Sequence, residues 1–270
     1  MSTLGIEFRK EKRVGVIPLM LAVGIMGAGY SFANFAVRKE TLLNLPLAPM
    51  DVLLTQMYGM IMILNMFGII VAACMIYNME FKGSAVKKMY MLPMKVHSMY
   101  IGKYVILTVL LLLGIGIQNV ALAGIGIADL PQGTFEAPAL VAFAGYSFIT
   151  SMPVLSFMLF VASRFENMWV PLGIGVAGFL SGMALAMPDN IWLCIHPFVM
   201  MLKPAISMSA QPDPVVIILS LAETILFLGA GVWTGIYKCL GGDVYSECTG
   251  LFLLPAPVQH DCRLCDDRRA

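Results

Sequence analysis

Residues 104–128 read YVILTVLLLLGIGIQNVALAGIGIA. The stretch carries no charge, and only Tyr104, Thr108, Gln118 and Asn119 interrupt its aliphatic character. As a helix rising about 1.5 Å per residue, it outreaches the hydrocarbon core of a bilayer, about 30 Å thick. Its apolar residues run all round the helix rather than along one stripe, as lipid-facing helices require. Lipid leaves an open strand edge unpaired, and the alternation of a membrane barrel is absent, so the fold class is all-α.

Five further runs of this kind lie outward from it: Val14–Ala36, Val52–Tyr77, Pro138–Ala162, Trp169–Met187 and Val215–Tyr237. Together they predict six transmembrane helices. The first run is too long for a signal-peptide core, and no small-residue cleavage site follows it before Arg38. The whole 270-residue chain agrees: 59% of residues are hydrophobic, 12% are charged, and mean hydropathy is +0.85. A soluble domain carries roughly twice that share of charge. The net charge of +1 provides no basic footprint for nucleic acid.

Orientation follows from the basic residues. With the N-terminus inside, fourteen of the seventeen Lys and Arg fall on the inner side, and only Arg38, Lys39 and Lys203 fall outside. The positive-inside rule then predicts both termini in the cytoplasm. The 3–14 stretch TLGIEFRKEKRV is basic and amphipathic, suited to lying on the inner surface. Residues 1–244 form the transmembrane domain on this reading. Residues 245–270 form a cytoplasmic tail, read as disordered. Its HDCRLC (260–265) is half a zinc site, where a structural site needs four ligands, so no metal is expected.

Two connections are long. The inner one, 78–103, has a Gly83–Ser84 break, and Ser84 suits the N-cap of a short helix running to about Met91. Leu92 precedes Pro93 and is pushed away from helix. Lys87 and Lys88 give this segment a basic side, which suits either anionic headgroups or a soluble partner. The outer one, 188–214, has two short apolar patches broken by Pro197 and Pro204, expected to dip back into the outer leaflet.

Catalytic chemistry is sparse. Gly102–Lys103 is followed by Tyr104, so no Walker A loop exists, and neither HExxH nor a Ser–His or Cys–His pair is visible. The chain is therefore read as a non-enzyme that binds no cofactor itself. Polar groups inside the spans are Asn65, Gln118, Asn119 and Glu223. An ionisable side chain there costs about 3 kcal/mol unless it meets protein or water. Glu223 either lines a substrate path and attracts cations, or bonds as a protonated carboxyl to Gln118 or Asn119. Gly178–Gly182 and Gly231–Gly235 have the spacing that lets helices approach closely, and Pro153 is expected to kink its span.

The 77–104 stretch YNMEFKGSAVKKMYMLPMKVHSMYIGKY resembles type-2 ABC exporter permeases, through Glu80, Lys87, Leu92, Pro93 and Lys103. The stretches 147–182 (SFITSMPVLSFMLFVASRFENMWVPLGIGVAGFLSG) and 191–204 (IWLCIHPFVMMLKP) are similar to the lantibiotic-immunity branch of that family. The resemblance covers about residues 1–244. It implies that Glu80, Ser84, Lys87, Lys88, Leu92 and Pro93 couple the chain to an ATPase dimer, where ATP and Mg are bound. It also implies a second six-span permease, a related sister chain, in a bacterial cytoplasmic membrane. The substrate would be a cationic antimicrobial peptide taken from the lipid and expelled, giving self-protection. Alternatives are export of another amphipathic drug or lipid, or a secondary transporter or sensor that needs no ATPase.

Overall fold

The computed structural model describes residues 15–43, 48–81, 96–131, 134–186, 191–207 and 211–239. The described residues are helical, with no strand among them. Seven α-helices follow one another: α1 (Val16–Leu43), α2 (Pro49–Phe81), α3 (Val96–Asp129), α4 (Ala137–Ala162), α5 (Trp169–Leu185), α6 (Pro197–Ile206) and α7 (Pro214–Cys239). A 3₁₀ turn, Ile191–Ile195, precedes α6.

Five of them, α1, α2, α3, α4 and α7, are long and apolar enough to cross a membrane. The fifth expected crossing, Trp169–Met187, is a helix of only 17 residues, Trp169–Leu185. At about 1.5 Å per residue it rises roughly 26 Å, short of the hydrocarbon thickness. The long helices, by contrast, outrun their apolar runs. α1 continues past Ala36 through Arg38 and Lys39, and α3 begins at Val96 rather than near Lys103.

α1 and α3 run antiparallel to α2, which gives the bundle two ends. At one end α2 finishes and α3 begins, either side of residues 82–95. At the other, Lys39 of α1 pairs with Asp129 of α3 at 2.5 Å. α1, α2 and α3 pack together, and α4 joins them to α6 and α7. α2 forms the centre: Leu54, Met57, Tyr58, Ile61, Met62 and Met66 are wholly buried. Lipid is as apolar as these side chains, so close packing rather than water exclusion holds the helices together. Tyr58 meets Phe143 edge-on at 4.8 Å, the favoured geometry for two rings. Gly24 and Gly114 let the α1 and α3 backbones touch: a Cβ at Gly24 would lie 3.0 Å from the Gly114 Cα.

Three proline expectations meet different outcomes. Pro197 begins α6 rather than breaking an apolar patch, because the first helical position has no N–H bond to lose. Pro204 lies inside α6, and the helix passes through it to Ile206. α4 likewise continues through Pro153, with the Thr150 and Ser151 hydroxyls both donating to the Ser147 carbonyl.

Candidate functional site

The polar groups of the spans form two separate sets. The first lies between α1, α2 and α3. Asn65 Nδ2 donates to Gln118 Oε1 at 3.0 Å, and Gln118 Nε2 returns a bond to Asn65 Oδ1 at 2.8 Å. Next to Gln118 in the chain, Asn119 Nδ2 donates to the Tyr58 hydroxyl at 2.7 Å and to the Ile115 carbonyl at 2.8 Å. Gly27 of α1 closes over the pair, since a Cβ there would sit 2.5 Å from Gln118 Nε2. Gln118 has no exposure at all and Asn65 1%. Both amides are thus satisfied inside the bundle, as buried polar groups must be. Asn119 Oδ1 is the exception, buried without a partner.

This geometry overturns one alternative for Glu223. Gln118 and Asn119 spend their hydrogen bonds on Asn65 and Tyr58, and Glu223 bonds to neither. Glu223 belongs to the second set, on α7, near the 191–206 elements. Its Oε2 is buried and has no hydrogen-bond partner. On the same face Ser220 donates to Val216 carbonyl at 2.7 Å, and Thr224 to Ser220 carbonyl at 2.7 Å. Cys194, on the 3₁₀ turn, is a buried free thiol that feels Lys203, Asp213 and Glu223, while burial raises its pKa. His196 lies 3.2 Å from the Ser181 hydroxyl through Nε2, and its Nδ1 is buried without a partner. Burial keeps the His196 imidazole below the usual histidine range. Gly178 and Gly182 of α5 cradle the Phe198 ring of α6: a Cβ at Gly178 would overlap Phe198 Cε2. The small-residue spacing seen in the sequence thus serves α5 against α6.

A third feature lies at the 82–95 end. A cavity of about 250 Å³ is lined by Asn78 and Phe81 of α2 and by Glu166, Asn167, Met168 and Trp169 before and within α5. Trp169 is 70% exposed. Arg164 lays its guanidinium over the Phe160 ring at 5.3 Å. The backbone of Glu80 lies in the last turn of α2. Ser84, Lys87, Lys88, Leu92 and Pro93 lie outside the described residues, as does the HDCRLC stretch. Among the described residues no group of His, Cys, Asp and Glu could hold a metal ion.

Lys103, one of the basic residues counted on the inner side, is 2% exposed, with its ammonium 5.5 Å from the Tyr77 ring centre. A buried lysine against an aromatic face on the neighbouring helix has no local sequence signature.

Five helices long and apolar enough to cross a membrane define a multi-pass integral membrane protein. Residues 3–182 match the family model described as ABC-2 family transporter protein. The match covers two thirds of the chain, and the chain belongs to that family. It is the membrane domain of an ABC transporter, a kind of permease that works with an ABC ATPase. No curated protein and no solved structure matches the chain. The family match spans α1 to most of α5, including residues 82–95, and leaves out 191–206 and α7.

Proposed function

We propose that this chain is the permease half of an ATP-driven exporter that lifts cationic, amphipathic antimicrobial peptides out of a bacterial cytoplasmic membrane. The observation that carries the reading is the family match running unbroken through α2, residues 82–95 and α3. In this account α5 is a sixth, short crossing, completed by flanking residues or by a locally thinner bilayer. Both termini are then cytoplasmic, and the 82–95 end faces the ATPase. Glu80, Ser84, Lys87, Lys88, Leu92 and Pro93 form the coupling segment. The chain itself hydrolyses nothing; ATP and Mg bind on the separate ATPase pair. A sister permease completes the pathway, and rigid-body shifts of the two halves open it alternately.

Asn65, Gln118 and Asn119 are included with Glu223 in the proposed substrate path, with different parts to play. The amides hold α2 to α3 in the closed state and would need new partners when the helices part. Glu223 is the group that would meet a cationic side chain, because its free carboxylate oxygen has no protein partner. The peptide substrate is supported by the similarity of residues 147–182 and 191–204 to the lantibiotic-immunity branch.

The test is peptide resistance in cells bearing the chain with its ATPase. Replacing both Lys87 and Lys88 by Glu should lower resistance at least tenfold while the protein stays in the membrane. Glu223→Gln should weaken resistance to a cationic peptide more than to a neutral analogue. Equal resistance in all three strains would overturn both the coupling and the path assignments. Resistance unchanged by deleting the ATPase would favour a secondary transporter or a sensor.

A further inference from the structure

At the start of α3, three neighbouring side chains grip three different helices. Lys103 lies over Tyr77 of α2. Tyr104 donates from its hydroxyl to the Met152 sulfur of α4 at 3.2 Å. Tyr100 reaches α7, where its phenol ring seats on Gly231. A Cβ at position 231 would overlap Tyr100 Cζ and Oη, so no side chain larger than hydrogen fits beneath the ring. Tyr100 is 6% exposed, and its hydroxyl is buried without a hydrogen-bond partner. A buried phenol normally finds a partner, so this seat is held by shape and not by polarity.

The position of the seat in the chain matters. Tyr100 is in the second turn of α3, five residues beyond the 82–95 connection. Gly231 is eight residues along α7 from Glu223, about 12 Å at 1.5 Å per residue. α7 otherwise packs mainly along α4, with Phe227 against Phe157 at 5.2 Å between ring centres. Its opposite face is open: Ile218, Ile225, Leu226 and Trp233 are each exposed by more than 60%. α7 is thus held on one side, by α4 along its length and by α3 through the Tyr100 seat. Tight packing also transmits a push instead of absorbing it.

We infer that Tyr100, keyed into Gly231, is the positioning contact that carries movement of the 82–95 end to α7 and so to Glu223. The inference rests on the proposal that an ATPase drives that end. It assigns Tyr100 and Gly231 a role in transmission, not in contact with substrate. The ring must fill the seat for α7 to follow α3, and the unpaired hydroxyl is dispensable.

The experiment reads the displacement of α7 directly. The full chain is reconstituted in lipid nanodiscs with its ATPase. Spin labels replace exposed Arg38 of α1 and Ile218 of α7, in a background with native cysteines changed to serine. The distance between labels is compared without nucleotide and with ATP trapped by vanadate. The unaltered pair and Tyr100→Phe should show the same ATP-dependent shift. Gly231→Ala, which evicts the ring, and Tyr100→Leu, which no longer reaches the seat, should lose most of it while retaining the ATPase. Thermal stability is measured on every variant. A merely structural contact would lower stability in Gly231→Ala and Tyr100→Leu but leave the shift intact, and that result overturns the inference. So does an unaltered chain that retains its ATPase but shows no shift. An unaltered chain that retains no ATPase overturns the underlying proposal, and the inference falls with it.

Discussion

Asn65 and Gln118 are 53 residues apart and exchange two hydrogen bonds inside the bundle. In lipid such bonds contribute about 0.6 kcal/mol each on average, and up to about 2. Breaking one partner is worse than losing the pair, because an orphaned amide keeps its desolvation cost, about 1–3 kcal/mol. Asn65→Ala should therefore lower thermal stability in detergent more than Asn65→Leu combined with Gln118→Leu. A double variant less stable than the single one would show that the pair does not act as a unit. Each amide is visible in the sequence as a polar residue in an apolar run. Their partnership is not, since nothing local to either residue encodes contact between α2 and α3. The same is true of Tyr100 and Gly231. A glycine in a glycine-rich chain looks like many others until a ring is found on it.

At the scale of elements, hydropathy located the long helices, because a crossing requires an apolar run of fixed minimum length. It missed their ends. Charged residues such as Arg38 and Lys39 continue a helix beyond its apolar run at no hydrophobic cost, and so escape a reading based on apolarity. α5 is the converse case. Its 17 residues are the most uniformly apolar of the shorter helices, yet they fall below the usual crossing length. What α5 does visibly is receive α6. Gly178 and Gly182 admit Phe198, whose ring also meets Phe157 edge-on at 5.9 Å. Filling Gly178 with the single methyl of alanine should push Phe198 out and loosen α6 with the adjacent 3₁₀ turn. Cys194 reports on this, because its thiol is buried and burial raises its pKa, both of which slow alkylation. Gly178→Ala should speed maleimide labelling of Cys194 several-fold, as followed by peptide mass spectrometry, and leave buried Cys74 unchanged. Equal acceleration at both cysteines would mean general loosening rather than a local seat.

For the whole molecule, composition alone placed the chain in a membrane, and the family match through residue 182 makes it an ABC-2 permease. The elements beyond residue 182, which the family match does not span, carry Cys194, His196, Phe198, Glu223 and Gly231. The six-crossing topology, the cytoplasmic termini and the peptide substrate belong to the proposal built on that frame. Its central claim is that this chain works only as part of an ATP-driven assembly. The most direct test is gentle-detergent purification of the full chain from its native membrane, with crosslinking and mass spectrometry of what accompanies it. The account predicts a Walker-motif ATPase together with a second, related permease. Recovery of this chain alone, in repeated crosslinked preparations, would contradict it.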